Sequence, residues 1–480
     1  MRIFMAFSVV VFFCAAVRGK EAGRPNVVFI LADDLGYTSL ACYGSKYYET
    51  PHIDRMAAEG LRMTDGYTCG PNCQPTRAAL LSGQYGPRTG VYTVGGIGRF
   101  DWRSRPLRPV KNVTELPLEK ITLAETLKKA GYATGMFGKW HLGNDEAHHP
   151  HARGFDEALV TAGRHFNFVT DPPAHDTAGA YLADYLTDRA VDFIQRHQKE
   201  PFFLYLPHFG VHSPHEAKPE LIEKFRTKAA SGGHHDPTYA AMIASVDESV
   251  GRVLATLDEM NLAERTLVIF SSDNGGVGGY RSIGLDKEGI TDNTPLKGGK
   301  GSLAEGGIRV PTIFRWKGTI EPGRTDGTPI NSVDLYPTLI ELTGAQAPAD
   351  YPLDGASYAR LLTRGTPPER EALFWHFPGY LGSGVNQWRT TPGGAIRAGD
   401  WKLIEYFEDG HLELYNLKID LSEKHNLAAS EPAKREELLG LLRNWRKEVG
   451  AKMPTPNQET STKATNTERK RKKERQASDP

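Results

Sequence analysis

The sequence is poor in cysteine and has no excess of either charge. Four of its 480 residues are cysteine, too few for a small domain held together by several disulfides. Lysine and arginine together number 58, and so do aspartate and glutamate, so no overall field favours nucleic acid. We therefore expect no nucleic-acid partner, and any anion must be bound at a local site.

The sequence also lacks an N-terminal apolar run of membrane-spanning length. Fifteen uncharged, mostly apolar residues separate Arg2 from Arg18, whereas a spanning helix needs roughly 20. A basic start, a short apolar centre and small residues before position 20 are typical of a cleaved secretory signal. We therefore expect residues 1–19 to be a signal peptide, the mature protein to be periplasmic or extracellular, and no stable membrane insertion.

Three cysteines follow that segment: Cys42, Cys69 and Cys73. An odd number in an exported protein leaves at least one cysteine without an intramolecular partner, which marks it for special chemistry. Cys42 and Cys69 form either a disulfide or a pair of buried free thiols, and the sequence leaves both alternatives open.

Apolar runs alternate with amphipathic segments from residue 25 onwards. Continuous apolar runs typical of buried parallel strands occur at 26–32, 202–206 and 267–270. Helical periodicity occurs at 122–129, 181–196 and 239–259. This alternation predicts an α/β fold with a large, doubly wound, mixed but mostly parallel sheet over residues 24–365.

A proline-containing break at 365–370 ends the alternation. Strand-like pieces then occur at 394–396, 401–406 and 412–415, followed by a predicted helix over 433–449. They predict a smaller C-terminal α+β subdomain over 370–454. Residues 455–480 are polar and basic, which is typical of a solvated disordered tail. The alternative is that the tail binds a polyanion.

Acidic and amide side chains follow two of the predicted strands. Asp33 and Asp34 come after the first apolar run, and Asp273 and Asn274 come after the third. The segment around Cys73 is expected to follow a strand as well. Ligands collect at the carboxyl ends of parallel strands, and hard oxygen donors favour Ca²⁺ or Mg²⁺. The alternative for such an acidic pair is a helix cap or a turn.

The most specific segment is Cys73-Gln74-Pro75-Thr76-Arg77, which runs into a predicted helix. It resembles the C-x-P-x-R signature by which sulfatases have a cysteine oxidised to formylglycine. The chain is similar to that family from about residue 24 to residue 449. Ordered matches are NVVFILADDLG (26–36), GKWHLG (138–143), RGFD (153–156), FFLYLPHFGVHSP (202–214), SDNGG (272–276) and PLKGGKGSLAEGGIRVP (295–311). The resemblance implies an alkaline phosphatase-like fold.

In the family, formylglycine is made from the cysteine by a formylglycine-generating enzyme, which is thus an expected partner. Its hydrate carries two hydroxyls: one attacks sulfur, and the other later expels sulfate by re-forming the aldehyde. The resemblance implies that Asp33, Asp34, Asp273 and Asn274, with an oxygen of modified Cys73, hold the cation. Ca²⁺ is expected, and Mg²⁺ is the alternative.

The resemblance also implies roles for five cationic side chains. Arg77 lies one helical turn after the cysteine, so its guanidinium is expected to point back at the formylglycine oxygens. Lys139 and Lys300 would contact sulfate. His141, on the same side of an extended segment as Lys139, would take a proton from formylglycine when sulfate leaves. His212 would contact sulfate and protonate the leaving oxygen.

Several other residues are expected to be peripheral or to affect substrate choice. Lys297 is expected to be peripheral, and His208 and His215 are candidates for lining the pocket. The cluster of His148, His149 and His151 is interpreted as an exposed loop, with zinc binding as the alternative. Position 73 is expected at an accessible helix start, and the Asn112 sequon on a surface loop.

The sequence therefore predicts an exported, formylglycine-dependent, cation-using sulfatase that acts on a sulfated glycan or small molecule. One alternative is a phosphonate or phosphodiester hydrolase of the same fold. The other is a non-catalytic binder of sulfated glycans, which would need neither Cys73 nor its signature. Substrate choice is expected to lie in loops such as 94–115 and 165–176.

Overall fold

The computed structural model describes residues 24–161, 163–384 and 387–458. The expected signal peptide (1–19) lies outside these ranges, as does the part of the expected tail beyond residue 458. The expectation of disorder was wrong for the first residues of the tail, because Thr455 and Pro456 pair with Arg108 and Leu107. Among the residues described, none of the helices combines the length and apolar character that crossing a membrane requires.

The elements are numbered here in chain order. The strands are β1 (Asn26–Ala32), β2 (Leu61–Met63), β3 (Gly66–Tyr67), β4 (Leu107–Arg108), β5 (Ala133–Gly138), β6 (Glu157–Thr161), β7 (Thr170–Asp171), β8 (Phe202–Pro207), β9 (Thr266–Ser272), β10 (Thr312–Arg315), β11 (Arg324–Asp326), β12 (Ile330–Asn331), β13 (Leu373–Phe377), β14 (Leu381–Gly384), β15 (Gln387–Thr390), β16 (Gly393–Ala398), β17 (Trp401–Tyr406), β18 (Leu412–Asn416) and β19 (Thr455–Pro456). The helices are α1 (Pro51–Ala58), α2 (Cys73–Ser82), α3 (Gly86–Thr89), α4 (Leu123–Lys129), α5 (Leu182–Arg196), α6 (Pro219–Arg226), α7 (Pro237–Glu259), α8 (Glu305–Ile308), α9 (Leu335–Thr343), α10 (Ala359–Arg364) and α11 (Pro432–Glu448).

A large mixed sheet forms the centre of the fold. Within the described ranges it has nine strands in the order β11-β2-β10-β9-β1-β8-β5-β6-β7. The central strands β9, β1, β8, β5 and β6 are parallel, whereas β10 and β7 run antiparallel to their neighbours. The large, mixed but mostly parallel sheet expected from the sequence is confirmed.

Strand β1 is apolar throughout because both faces of the sheet are covered. Val28 and Ile30 pack into a core cluster with residues of α5 and α7. Val27 and Phe29 point the other way, into a cluster with residues of α4 and α9. Alternate side chains of a strand lie on opposite faces. Each such side chain contributes about 1.5–3 kcal/mol when fully buried.

The predicted elements of this region are confirmed with small shifts at their ends. The helix expected at 122–129 is α4, and Thr122 is its N-cap in a reciprocal capping box with Glu125. The helix expected at 239–259 begins at Pro237, because the Asp236 side chain accepts a hydrogen bond from the Tyr239 amide. The strands at 202–206 and 267–270 extend to Phe202–Pro207 and Thr266–Ser272.

The C-terminal segment forms a second sheet. Strands β13, β16, β17 and β18 are antiparallel neighbours in that order, and α11 packs on β16 and β17. The strand expected at 401–406 has these bounds. The sequence did not predict β13 or the separate hairpin of β14 and β15.

A buried charge network joins this second sheet to the first part of the chain. Lys402 on β17 lies 2.8 Å from Glu305 Oε1 of α8 and 2.9 Å from Glu423 Oε1, and all three side chains are buried. Burial alone would raise the pKa of Glu305, but the neighbouring cations, Lys402 first among them, lower it to about 2. A charge removed from this network leaves its partners unpaired in an apolar environment.

We therefore expect Lys402→Met to destabilise the protein by about 3–5 kcal/mol, because Glu305 and Glu423 lose their shared cation. Lys418→Met is the matched control, since Lys418 is 74% exposed and its ion pair with Asp400 spans 4.0 Å. The control should cost no more than about 0.5 kcal/mol. Urea unfolding at pH 7 measures both variants. Equal free energies of unfolding for the two would contradict a stabilising role of the network.

Candidate active site

Adjacent strand ends bring the predicted acidic ligands together. β1 and β9 pair in register through Ala32 and Ser272, so the residues that follow them meet at one edge of the sheet. The amide of Asp34 donates to Asp273 Oδ1 at 3.2 Å, and Asn274 Nδ2 donates to Asp34 Oδ1 at 2.8 Å. Asp33, Asp34, Asp273 and Asn274 are all buried.

Cys73 joins this cluster from the first turn of α2. Its Sγ lies 3.5 Å from Asp33 Oδ1 and 3.9 Å from Asp34 Oδ1. The expectation of an accessible position was wrong, because Cys73 is only 1% exposed. The cause is that α2 is buried on every side: Leu80 packs into the core beside the main sheet, and Ala79 packs into the C-terminal core. The expected helix start at Cys73 is confirmed, and β3 is the strand that precedes it.

Arg77 is directed towards the acidic ligands that surround Cys73. Its Nε and Nη2 donate to Asp273 Oδ2 at 2.9 and 2.7 Å, and its Nη1 donates to the Lys139 carbonyl at 2.6 Å. Its Nη2 also lies 3.8 Å from Oδ2 of Asp33, the residue that Cys73 contacts. That the guanidinium also faces the formylglycine oxygens stays a prediction. Burial and the nearby Asp33 raise the pKa of Asp273 to about 6, and Arg77 opposes that rise. Arg77 is therefore a positioning residue for Asp273.

Two lysines supply the remaining compensating charge. Lys139 pairs with Asp33 Oδ2, and Lys300 Nζ lies 2.6 Å from Asp34 Oδ1. Burial tends to raise the pKa of Asp33, but Lys139 and the other cations hold it well below its usual range. Burial tends to lower the pKa of Lys300, but Asp34 holds it above its usual range. Both lysines thus stay charged beside Cys73.

The two predicted histidines differ in their surroundings. His212 Nδ1 lies 2.6 Å from the Ser213 carbonyl, so Nδ1 carries the donated hydrogen and Nε2 faces Asp34, 3.7 Å away. Burial and the charge of Lys139 lower the pKa of His141 well below its usual value, which leaves His141 neutral. His141 has a φ of 65°. The expectation of an extended segment is therefore wrong at this residue.

These groups line a cavity of about 170 Å³. Cys73, His141, His212 and Lys300 lie on its walls. The other lining residues, none of which was singled out individually from the sequence, are Asn72, Val94, Arg99, Phe100, Leu381, Gly382 and Arg389. Three of these belong to the loop 94–115, which was expected to govern substrate choice. The lining residues of β14 and β15 belong to no motif that could have indicated them.

Two histidines expected near the pocket lie elsewhere. His208 is fully buried against Ser249 Oγ at 2.9 Å, and His215 packs on the ring of Tyr239. Neither lines the cavity that contains Cys73. Lys297 contacts Tyr415 and Glu413 of the second sheet, in agreement with its expected peripheral place.

Further expectations concern residues outside the cavity. Cys42 and Cys69 are free thiols, so of the two alternatives the disulfide is absent from the described chain. Asn112 is buried, not on the surface as expected, because its side chain holds the loop at Tyr92 and Thr93 through backbone hydrogen bonds. His148 is hydrogen-bonded to Asp145, and together with Glu115 they form a second group of closely spaced ligand atoms.

The acidic cluster has the donor set that a hard divalent cation requires. Ligand atoms of Asp33, Asp34, Cys73 and His212 lie within 4.8 Å of one another. The Oδ1 atom of Asn274 is buried and accepts no hydrogen bond from the described residues. An unpartnered amide oxygen beside buried carboxylates fits Ca²⁺ or Mg²⁺, which prefer oxygen ligands.

Comparison with known protein families supports the resemblance seen in the sequence. Residues 25–345 match the family model described as "Sulfatase". Residues 299–447 match the one described as "N-sulphoglucosamine sulphohydrolase, C-terminal".

Individual relatives are similar over most of the chain. A sulfatase of Formosa agariphila is 36% identical, over 88% of this chain and 88% of its own length. The N-acetylgalactosamine-6-sulfatase of Sus scrofa is 32% identical, over 76% of this chain and 71% of its own length. The crystal structure of Ps i-CgsB has a TM-score of 0.74 at 30% identity, over 88% of this chain and 92% of that one. That protein has also been solved in complex with k-i-k-neocarrahexaose.

Proposed function

The chain belongs to the sulfatase family, and on that premise we propose that it is an exported enzyme that removes sulfate from a sulfated carbohydrate. It does so through formylglycine made from Cys73 and with a bound divalent cation. The observation that carries the proposal is the position of Cys73, buried at the base of a small cavity among Lys300, His141 and His212.

The lysines match the charge of the substrate. A sulfate ester is an anion, and a buried anion is tolerated only when it is paired. Lys139 and Lys300 are held beside Cys73 in charged form by Asp33 and Asp34. They neutralise the sulfuryl oxygens and hold sulfur against the side chain at position 73.

Formylglycine and a divalent cation would complete the chemistry. Formylglycine at position 73 would supply, as its hydrate, a hydroxyl for attack on sulfur and a second hydroxyl through which the aldehyde could re-form. Asp33, Asp34, Asp273 and Asn274 would hold the cation, which would supply positive charge to the site. The unmodified thiol is poorly suited to the reaction, because burial raises the pKa of Cys73 and keeps it protonated.

The histidines divide the proton transfers. His212 holds its Nδ1 hydrogen on the Ser213 carbonyl, so a proton on Nε2 is directed into the cavity, where the leaving oxygen lies. His141 is neutral and lies in the same cavity, so it accepts a proton at position 73. Arg77 takes part indirectly, by fixing Asp273.

Similar proteins support a carbohydrate substrate. One relative is named as an N-acetylgalactosamine-6-sulfatase, and a structural relative was solved with a neocarrahexaose. Export, if confirmed, favours a glycan of the surroundings over a cytosolic metabolite.

We expect Cys73 of the mature protein to appear in peptide mass spectra as formylglycine, about 18 Da lighter than cysteine. Cys73→Ala should lower kcat for a nitrophenyl sulfate by at least about 10³-fold, since the nucleophile is absent. Cys73→Ser is the matched control: it keeps a hydroxyl but cannot form an aldehyde, so it should turn over at most once. Multiple turnovers by Cys73→Ser, or a kcat of Cys73→Ala less than about ten-fold below that of the parent, would contradict the proposed mechanism.

Both strand ends should be needed for the cation. Asp34→Asn and Asp273→Asn each remove one charge at nearly constant volume, and asparagine tolerates the φ of 63° found at Asp34. Elemental analysis should find no bound Ca²⁺ in either variant, and each variant should lose activity. Chelation should lower the melting temperature of the parent protein but not that of the variants. Asp188→Asn, which alters an exposed ion pair with Arg252, is the control. A parent protein whose melting temperature and activity ignore chelation would contradict the cation site.

His212→Ala should slow sugar sulfates far more than an activated nitrophenyl sulfate, whose leaving group departs without much protonation. General acid catalysis contributes roughly 10²–10⁴ in rate, so the ratio of the two kcat values should fall by at least ten-fold. His215→Ala serves as the control, because His215 lies outside the cavity. Equal losses on both substrates in His212→Ala would remove its role as the acid.

A further inference from the structure

Two arginines lie at the cavity but have no part in the chemistry described above. Arg99 comes from the loop before β4, and Arg389 comes from β15 of the C-terminal hairpin. Both line the same cavity as Cys73, His212 and Lys300. They are separated by 290 positions in sequence, so only the fold brings them together.

Within the described residues, neither arginine has an acidic partner. Among the residues that the structure describes, no carboxylate lies within ion-pair distance of Arg99 or Arg389. Arg99 donates one hydrogen bond to the Val94 carbonyl at 3.0 Å. The Nε atom of Arg389 is buried and finds no acceptor in the described ranges. Arg389 is half-buried, and a half-buried guanidinium without a carboxylate is costly unless an anion is bound there. Arg99 is exposed at the rim of the cavity, and the planar donors of both arginines suit sulfate or carboxylate oxygens.

Arg389 is fixed next to the sulfate-binding lysine. Its guanidinium carbon lies 4.8 Å from the centre of the Tyr280 ring, and the hydroxyl of Tyr280 donates to the Lys300 carbonyl at 3.3 Å. A Cβ atom on Gly301 would lie only 2.9 Å from Arg389 Cδ, so the arginine stem covers the residue that follows Lys300. Burial and the charge of Arg389 lower the pKa of Lys287, which places a further cation nearby.

The ring of Phe100 lines this side of the cavity, and two further rings pack next to it. Phe100 lies in an edge-to-face arrangement with Trp388, with 6.3 Å between ring centres, and Trp388 lies 5.2 Å from Tyr380. Phe100 also packs closely on Gly382 of β14. Half-buried aromatic rings beside unpaired cations suit a ligand with apolar C–H faces and anionic substituents, as in a charged sugar.

We propose that Arg99 and Arg389 form an anion subsite that selects sulfated sugars carrying a second anionic group next to the ester that is cleaved. This inference rests on the proposed function, because it takes the ester-cleaving position to be at Cys73. The second group is a sulfate or a carboxylate. The oxygens of a carboxylate lie in one plane and those of a sulfate form a tetrahedron, and guanidinium groups bind both.

The test uses three disaccharides that share one scissile sulfate. The neighbouring sugar is neutral in the first, carries a carboxylate in the second and carries a second sulfate in the third. The parent enzyme should have a higher kcat/KM for at least one charged disaccharide than for the neutral one. Arg389→Gln and Arg99→Gln should each lower the ratio of kcat/KM for that charged disaccharide to kcat/KM for the neutral one by about ten- to one hundred-fold. The change should come mainly through KM, because a charge-assisted hydrogen bond is lost. The preferred disaccharide identifies the second anion.

Two further variants distinguish loss of the anion subsite from a merely structural effect. Arg389→Lys should recover part of the ratio, because it restores the charge but not the planar donors. Arg443→Gln removes an arginine that is 58% exposed on α11, and it should leave the ratio as in the parent. A parent enzyme that does not prefer either charged disaccharide would overturn the proposal. So would a ratio that does not change in Arg389→Gln and Arg99→Gln.

The two proposals fail in different ways. If neither the disaccharides nor nitrophenyl sulfate release sulfate, the proposed function is wrong. Binding of the same disaccharides to the Cys73→Ala protein then decides the subsite by itself. Dissociation constants that favour a charged disaccharide, and lose that preference in Cys73→Ala/Arg389→Gln, would support the subsite. Equal constants for all three disaccharides would contradict it.

Discussion

Three carboxylates buried at the ends of two adjacent parallel strands impose the constraint on which the site depends. Asp33, Asp34 and Asp273 cannot lie this close in an apolar interior without opposite charge. The chain supplies that charge from three other places: α2, the loop after β5 and the loop before α8 bring Arg77, Lys139 and Lys300. Two of these cations, Lys139 and Lys300, are also the ones proposed to bind the sulfate.

The second sheet is joined to the main part of the fold, and a hairpin of the same C-terminal segment lines the cavity. The ion network around Lys402 anchors it to α8, a few residues beyond Lys300. The hairpin of β14 and β15 then closes one wall of the cavity with Leu381 and Arg389. The reacting groups therefore come from the main sheet and its loops, whereas part of the surface that meets the rest of the substrate comes from the C-terminal segment. This division lets substrate choice vary without disturbing the acidic cluster.

The sequence predicted the parts of this arrangement that depend on one stretch of chain at a time. A continuous apolar run followed by acidic residues indicated β1 and β9, and two parallel strand ends had to place Asp33 and Asp273 together. The signature around Cys73 indicated a residue that lies beside these acids. The orientation of Arg77, the burial of Cys73 and the course of the backbone at His141 depend on residues that arrive from distant segments. Spacing along a helix or strand does not specify which distant partner a side chain meets. Arg389 was missed for the same reason, since nothing near β15 carries a motif.

The central claim is that the bond between sulfur and the ester oxygen breaks by attack from position 73. The most direct measurement is hydrolysis of a sulfated sugar in water labelled with oxygen-18, followed by mass spectrometry of both products. Attack on sulfur by an oxygen of the hydrate, which exchanges with the solvent, predicts label in the released sulfate and none in the sugar. Label in the sugar and none in sulfate would mean that the carbon–oxygen bond breaks, which would contradict the mechanism built on Cys73, Lys139 and Lys300.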